Sequence, residues 1–307
     1  MTDFSLIPLG TAVGAMAAAA VAPAASAFAE TVTVTKFLDR PDGRIAYDDG
    51  GAGPLVVMVP GLGDLRQEYR FLAPLLAQAG YRAVTMDLRG HGESSTGWPS
   101  YRTAAVGGDI VALIEHLNAG PAAIVGTSMG AGAAVWAAAE APDRVSQLVL
   151  IGPFVREVPP ESWIKGLMQT LMIKVAFAGP WAKSAWIGYY RSLYPTAKPA
   201  DFAAYRAALA ANLSEPGRLA ALEAMTGVDG GKSDIEARLG EVRAPTLVVM
   251  GTSDPDFPDP AAEAATVARL LNGSARMIAG AGHYPHAEMP EVTSPLVIDF
   301  LAAGLRS

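Results

Sequence analysis

Hydrophobic and polar positions alternate along this chain with two different periods. Short, mostly apolar runs are typical of strands buried on both faces of a parallel sheet, and such runs occupy 54–59, 82–86, 123–125, 148–151, 246–250 and 275–278. Between them, apolar residues recur at helical spacing, notably in 69–76, 110–117 and 131–140. The alternation of strand and helix, joined by short glycine-containing connections, predicts an α/β fold with a mostly parallel, doubly wound sheet.

The first two predicted strands differ from the rest. Residues 31–35 alternate threonine with valine, a β-branched pattern that favours a strand. The turn Pro41-Asp42-Gly43 then leads into a second strand at 44–47. Strands joined by so short a turn are expected to pair antiparallel.

The alternation stops between residues 154 and 243. Prolines punctuate segments of helical character there, and the region contains a large share of the aromatic residues, among them Trp163, Trp181, Trp186, Tyr189 and Tyr190. A helical stretch this long exceeds an ordinary loop. We therefore predict a core formed by 30–153 and 244–307, with 154–243 as an all-helical cap over one edge of the sheet.

The N-terminal segment 1–29 has the pattern of a leader. No charged residue occurs from Phe4 to Ala29, and Ala25-Ser26-Ala27 resembles a signal-peptide cleavage site. This predicts an exported protein cleaved after Ala27 or Ala29. Met1-Thr2-Asp3 lacks the usual lysine or arginine, which leaves open a weak membrane anchor or a misassigned start before a cytoplasmic enzyme.

Composition narrows the chemistry. The chain has 307 residues, 51% of them hydrophobic and 17% charged, which describes a globular protein with a large core. A net charge of −7 argues against nucleic acid or anionic membrane as partner. Because there is no cysteine, disulfides, thiolate catalysis and cysteine-bound zinc are excluded. No stretch has metal-ligand spacing or a dinucleotide loop, so we expect neither metal nor cofactor.

One serine stands where a nucleophile is expected. Gly-Thr-Ser-Met-Gly at 126–130 follows an apolar strand and precedes an alanine-rich helix. Gly126 and Gly130 flank Ser128 where a sharp strand-to-helix turn leaves no room for a Cβ. The similar Gly-Thr-Ser at 251–253 runs into aspartate and proline instead. Ser128 is thus the candidate nucleophile.

A serine hydroxyl needs a base to be activated, and the chain has four histidines. His283 follows a glycine-rich loop after the last strand, where the serine also emerges, and we predict it as the base. His286 is the alternative. His91, in a glycine-flanked loop, and His116, near a helix end, are expected to be solvated structural residues.

The base needs a carboxylate to orient it. Asp254 comes just after the strand at 246–250 and is the predicted partner of His283. Asp256 and Asp259 are the nearby alternatives. Asp259 precedes a helix, which better suits an N-cap role.

These motifs together resemble those of α/β-hydrolase enzymes with a helical cap. The resemblance rests on the elbow at 126–130, Asp-Leu-Arg-Gly-His-Gly-Glu-Ser at 87–94, Gly-Thr-Ser-Asp at 251–254 and Gly-Ala-Gly-His at 280–283. Serine, aspartate and histidine also come in the order this superfamily uses. It implies an oxyanion hole formed by the backbone N–H groups of Leu62 and Met129. Pro60-Gly61 replaces the His-Gly of many relatives, which leaves a backbone donor intact.

The resulting prediction is a serine hydrolase that acts through an acyl-enzyme on a small to medium apolar ester. C–C bond hydrolase, thioesterase, lactonase and cofactor-free perhydrolase are alternatives on the same three residues. A non-catalytic ligand receptor is a further one. An aminopeptidase would need an acidic anchor, and Glu157, Glu161 and Asp201 are too generic to identify it.

Overall fold

Eight strands form one sheet in this computed structural model, which describes residues 34–157, 171, 175, 179–226 and 232–306. Their order across the sheet is β1-β2-β4-β3-β5-β6-β7-β8. The strands are β1 Lys36–Arg40, β2 Gly43–Gly51, β3 Leu55–Val59, β4 Arg82–Met86, β5 Ala122–Thr127, β6 Val145–Ile151, β7 Thr246–Gly251 and β8 Ser274–Ile278. Only the pairs β1–β2 and β2–β4 are antiparallel.

Helices cover both faces of the sheet. Within the described residues they are α1 Leu72–Gln78, α2 Thr103–Leu117, α3 Met129–Glu140, α4 Ala182–Ser192, α5 Phe202–Asn212, α6 Arg218–Thr226, α7 Lys232–Glu236, α8 Pro260–Leu270, α9 Pro285–Glu288 and α10 Pro290–Gly304. Single 3₁₀ turns lie at Arg66–Tyr69, Pro142–Arg144 and Leu239–Glu241. None of the helices in these described stretches combines the length and apolarity needed to cross a bilayer.

Strand β3 shows why its sequence is apolar throughout. All five of its residues are buried. Leu55, Val57 and Val59 belong to the hydrophobic core on one side of the sheet, whereas Val56 and Met58 belong to the core on the other. Since successive side chains of a strand point to opposite faces, a strand with a core on each side has no position for a polar residue.

The parallel strands end at the same edge of the sheet. Strands β3, β5, β6, β7 and β8 all run in one direction. The loops after Val59, Thr127, Gly251 and Ile278 therefore gather at one edge, which is where parallel α/β sheets place their ligand sites.

Most of the predicted architecture is confirmed, including the fold class. The first strand is a correction. Residues 34 and 35 lie outside any strand and Val34 is exposed, while β1 begins at Lys36. The strand starts where a partner exists: Lys36 pairs with Tyr47 of β2. The predicted leader at 1–29, and Trp163, lie outside the described residues.

Between β6 and β7, the regular elements of the described residues are all helices. We call the described part of 152–245 the insertion; it contains α4, α5, α6 and α7. An aromatic cluster links it to the core: Tyr190 and Tyr194 pack against Tyr284, the residue after His283, and Tyr205 packs against Tyr190. The predicted limits of a cap, 154–243, remain a prediction.

Candidate active site

Ser128 occupies a strained turn between β5 and α3. Its backbone angles, φ 56° and ψ −118°, lie in a region that L residues rarely adopt. A Cβ on Gly126 would lie 2.5 Å from the Gly130 carbonyl oxygen, and one on Gly130 would lie 2.4 Å from that of Val59. The two flanking glycines are thus required by close backbone packing, as the sequence predicts.

The main chain of Ser128 is fixed, while its hydroxyl is not. The Ser128 N–H donates to Ile151 (2.8 Å), and the N–H groups of Ala131 and Phe154 donate to its carbonyl oxygen (3.1 and 3.3 Å). None of the hydrogen bonds among the described residues involves the Ser128 hydroxyl, so its contact with the His283 ring is not made here. Such contacts are often long before substrate binds.

His283 and Asp254 are in direct contact. Nδ1 of His283 lies 2.8 Å from Oδ2 of Asp254, and both side chains are almost fully buried. Burial lowers the pKa of His283, but the negative charge of Asp254 and the hydrogen bond to it act in the opposite direction and raise this pKa to about 9. The ring is therefore oriented, and its charged form is stabilised.

The loop that carries His283 is held from two sides. The carboxylate of Glu288 accepts hydrogen bonds from the N–H groups of Gly282 (2.9 Å) and Tyr284 (3.3 Å). The N–H of His283 itself donates to the carbonyl of Leu193, just past the end of α4 in the insertion (3.0 Å). The position of the histidine backbone thus depends on the insertion as well as on the core.

The loop after β3 presents three successive N–H groups. Gly61 donates to Oε2 of Glu68 (2.7 Å), and Gly63 donates to Nε2 of His91 (3.1 Å). Between them, the N–H of Leu62 has no acceptor among the described residues, and neither has that of Met129 at the start of α3. These are the two groups that the sequence resemblance names as oxyanion donors.

His91 corrects an expectation. It was expected to be solvated, but only 2% of it is exposed. Burial lowers its pKa to about 4, so the ring is neutral at pH 7. Nδ1 then donates to the Arg89 carbonyl (2.8 Å), which leaves Nε2 to accept from Gly63. His116, in contrast, is exposed as expected.

The alternatives considered for base and acid take other positions. His286 is buried, stacks on Tyr69 and places Nε2 3.0 Å from Oε1 of Glu68, away from Asp254. Asp259 caps α8 by accepting from the Ala262 N–H (2.9 Å), as expected. Asp256 lies beside His283, with Oδ2 3.8 Å from Nδ1.

A second buried carboxyl lies in the loop after β3, residues 60–65, which we call the oxyanion loop because it contains the predicted donor Leu62. Asp64 is fully buried and accepts from the Leu65 N–H and the Tyr205 hydroxyl of α5. Burial, together with the nearby charge of Glu68, raises its pKa to about 8. Its other oxygen, Oδ2, has no partner among the described residues. No pattern in the sequence indicates this group, because Tyr205 is 141 residues away.

Aromatic rings surround the site. Phe154 and Phe257 stack on one another with centroids 4.9 Å apart, and their centroids lie 6.0 and 6.4 Å from that of the His283 ring. Trp186 of α4 packs over Gly63, where a Cβ would lie 2.4 Å from its ring. Trp181, in contrast, is half exposed. The walls beside His283 and the oxyanion loop therefore carry aromatic surface, together with a cation, Lys232, whose Nζ lies 4.6 Å from the Phe154 centroid.

One group of side chains within the described part of the chain has the spacing of a metal site. Ligand atoms of Asp254, Asp256 and His283 lie within 4.8 Å of one another. The sequence predicts the pairing of Asp254 with His283, with Asp256 as an alternative, but no spacing of metal ligands. The hydrogen bond between Asp254 and His283 accounts for it, and Nδ1 of the histidine is already occupied by that bond.

Comparison with known proteins supports the α/β-hydrolase superfamily. The family profile described as "alpha/beta hydrolase fold" matches residues 54–183, which include the elbow. A crystal structure of bromoperoxidase from Bacillus anthracis superposes with a TM-score of 0.71 at 23% identity, covering 88% of this chain and 99% of that one. These comparisons show the α/β-hydrolase fold.

Several curated α/β-hydrolase relatives match only in part. A Mycobacterium tuberculosis protein, whose name assigns it to the non-heme bromoperoxidases, is 39% identical over 109 residues, 35% of this chain and 41% of that protein. The 3-oxoadipate enol-lactonase 2 of Acinetobacter baylyi is 26% identical over 57% of this chain and 62% of its own length. Longer coverage comes with 2-hydroxy-6-oxo-6-phenylhexa-2,4-dienoate hydrolase of Burkholderia cepacia, at 27% identity over 85% of this chain and 92% of that enzyme.

Proposed function

We propose that this protein is a serine hydrolase that cleaves small to medium apolar carboxylic esters through an acyl-enzyme. The observation that carries the proposal is the buried 2.8 Å contact between His283 and Asp254 at the sheet edge where the strained turn presents Ser128. A nucleophile, a base and an orienting carboxylate are the parts that acyl transfer requires.

The reaction follows from these positions. Ser128 Oγ attacks the ester carbonyl carbon while Nε2 of His283 takes its proton. The N–H groups of Leu62 and Met129 hold the developing oxyanion, a contribution worth about 3–4 kcal/mol per donor in similar sites. Collapse expels the alcohol, which receives the proton from His283. Water, deprotonated by the same nitrogen, then attacks the acyl-enzyme and releases the acid and Ser128.

Apolar walls support the substrate class. Phe154, Phe257 and Trp186 provide ring surface beside His283 and the oxyanion loop. A cation also contacts this surface: the Lys232 Nζ lies 4.6 Å from the centroid of the Phe154 ring. In this proposal the insertion acts as the cap over the acyl group. An enol-lactone, as named for the Acinetobacter relative, is a cyclic ester that the same steps would open.

A C–C bond hydrolase is the second candidate. The observation that favours it is the similarity to the Burkholderia cepacia dienoate hydrolase over 92% of that enzyme.

Export by the leader at 1–29 also remains a proposal.

The decisive measurement is hydrolysis of p-nitrophenyl esters from acetyl to dodecanoyl. We expect a burst of p-nitrophenol, a chain-length optimum and loss of at least about 10³-fold in kcat for Ser128→Ala. Ser253→Ala is the matched control, since this exposed serine ends the chain's other Gly-Thr-Ser; it should change kcat less than twofold.

Two other results would redirect the assignment. An unchanged rate in Ser128→Ala would overturn the nucleophile. Cleavage of a 2-hydroxy-6-oxo-dienoate, with no activity on any ester, would establish the second candidate in place of the first.

A further inference from the structure

Two carboxylates, not one, lie at Nδ1 of the His283 ring. Oδ2 of Asp254 is 2.8 Å from this nitrogen, and Oδ2 of Asp256 is 3.8 Å from it. Both residues belong to the loop after β7. The distance to Asp256 exceeds the upper end of the hydrogen-bond range by about 0.6 Å. Small rotations of one side chain would exchange the two partners.

Nδ1 carries one hydrogen, so both carboxylates cannot accept it well at once. The structure shows what holds Asp256 back. The hydroxyl of Tyr189, on α4 of the insertion, lies 2.7 and 2.9 Å from its two carboxylate oxygens. The Asp256 N–H also donates to Oδ1 of Asp254 (3.0 Å), which ties the two residues together.

We propose that Asp256 is a second positioning carboxylate for His283. Its hydrogen bond with Tyr189 keeps it from the ring, and it is able to orient the ring when Asp254 is removed. The proposal rests on the proposed function, because it assigns a role within that same site. It also gives the insertion a part in catalysis, since the residue that holds Asp256 back belongs to α4.

The charges around the ring agree with this arrangement. Asp254, Asp256 and Glu68 each raise the pKa of His283, in that order of effect and against burial. The pKa of Asp256 is itself raised by burial, while His283, the Tyr189 hydrogen bond and Lys232 lower it. Glu288 is the other charged group whose pKa responds to the histidine. Removing Asp254 thus leaves Asp256 as the nearest negative charge to the ring.

The test compares kcat/KM for p-nitrophenyl butyrate, from pH 5 to 10, across a set of variants. These are Asp254→Ala, Asp256→Asn, the double variant, and Asp254→Ala combined with Tyr189→Phe. The alanine at 254 makes room for Asp256 to approach. Asp254→Asn replaces it if the alanine variant does not fold, as judged by thermal melting. Asp259→Asn is the matched control, because it removes a charge from the same loop while keeping the helix cap.

We expect Asp254→Ala to lose about 10²-fold and the double variant about 10⁴-fold, the loss typical of removing a triad acid. Asp256→Asn alone should lose about threefold. Adding Tyr189→Phe to Asp254→Ala should recover severalfold, since Asp256 is then released. The acid limb of the pH profile should lie at higher pH in Asp254→Ala than in the double variant, because a carboxylate still stabilises the imidazolium. Asp259→Asn should move neither rate nor profile.

Equal rates and equal acid limbs in Asp254→Ala and the double variant would overturn the role of Asp256 as a second positioning carboxylate. The proposed serine hydrolase function would not be affected by that result. A further loss, instead of recovery, on adding Tyr189→Phe would also overturn it. Full activity in Ser128→Ala, measured alongside, would instead remove the proposed function and this inference together.

Discussion

Three neighbouring peptide groups in the oxyanion loop differ in what they bind. The N–H groups of Gly61 and Gly63 are taken by Glu68 and His91, whereas that of Leu62 is left over. Because both neighbours are fixed, the Leu62 peptide has little freedom to turn. Its N–H is thus held ready for an acceptor before substrate arrives, which is the condition for strong electrostatic stabilisation.

His91 therefore matters although it does not face the reaction. His91→Phe leaves the buried Gly63 N–H without an acceptor, a cost of about 1–3 kcal/mol in unfolding free energy. We expect kcat to fall about tenfold with a smaller change in KM. His116→Phe, which alters an exposed histidine, is the control and should change neither stability nor kcat.

The pH dependence of stability distinguishes this role further. In the unfolded chain His91 takes up its proton near pH 6.5, whereas in the native protein it does so only near pH 4. Between these values the unfolded state binds more protons, so His91 reduces native stability as pH falls from 6.5 to 4, by about 3 kcal/mol in total. Urea unfolding at pH 7 and pH 4 should show a smaller acid-induced loss in His91→Phe than in the wild type. Equal losses would contradict the assignment.

At the scale of elements, the turn from β5 to α3 depends on how closely two backbones pack. A Cβ on Gly130 would lie 2.4 and 2.5 Å from the carbonyl oxygens of Val59 and Pro60, so the helix would have to move away from the oxyanion loop. Such a movement would separate the N–H groups of Leu62 and Met129, the two proposed donors.

Gly130→Ala should accordingly lower unfolding free energy by about 1–3 kcal/mol and kcat by at least about tenfold. Gly108→Ala is the matched control. Gly108 also lies in a helix, α2, but a Cβ there meets nothing within 4 Å. This change should stabilise the protein by about 0.5–1 kcal/mol and leave kcat unaltered. Thermal melting and ester hydrolysis measure both, and an active, stable Gly130→Ala would contradict the packing argument.

Sequence patterns predicted the elements well where burial dictates them. Strand β3 is apolar throughout because it faces a core on each side, and this requirement shows in the sequence as five consecutive apolar residues. The first strand was misplaced because the alternation at 31–35 also suits an exposed segment. A strand needs a neighbouring strand to pair with, and pairing with β2 begins only at Lys36. Asp254 and His283 could be predicted as site residues because each follows a strand that ends at the same edge of the sheet.

The contacts that the sequence did not predict join distant segments. His91 meets Gly63 across 28 residues, and Tyr189 meets Asp256 across 67. Neither pairing leaves a periodic or compositional trace, because it depends on how the loops approach one another after the sheet has formed. A buried, neutral histidine is indistinguishable in sequence from a solvated one in a glycine-flanked loop.

For the molecule as a whole, helix α4 and its end connect the insertion to three parts of the site. Trp186 packs on Gly63 of the oxyanion loop, and Tyr189 bonds Asp256 of the loop after β7. Just past the helix, the Leu193 carbonyl accepts the His283 N–H. A displacement of this one helix would thus disturb the loop of the Leu62 donor, Asp256 and the His283 main chain together.

Trp186→Ala tests that coupling. Removing this buried ring should lower unfolding free energy by about 3 kcal/mol, raise KM and lower kcat, because the oxyanion loop loses its cover. Trp181→Ala is the matched control: the ring lies one turn and a half earlier and is 51% exposed, so the cost should be about 0.5 kcal/mol or less. Urea unfolding and ester kinetics report both. A Trp186→Ala protein with only KM changed would indicate a simple pocket wall.

The hydrogen bond from His283 to the Leu193 carbonyl has a consequence for protein engineering. Substrate range is often altered by exchanging the segment that covers an active site for that of a relative. In this protein, such a graft would also replace the acceptor that fixes the histidine main chain. An exchange that keeps 189–193 in place should retain turnover on a new substrate, whereas one that includes those residues should bind it and turn it over slowly.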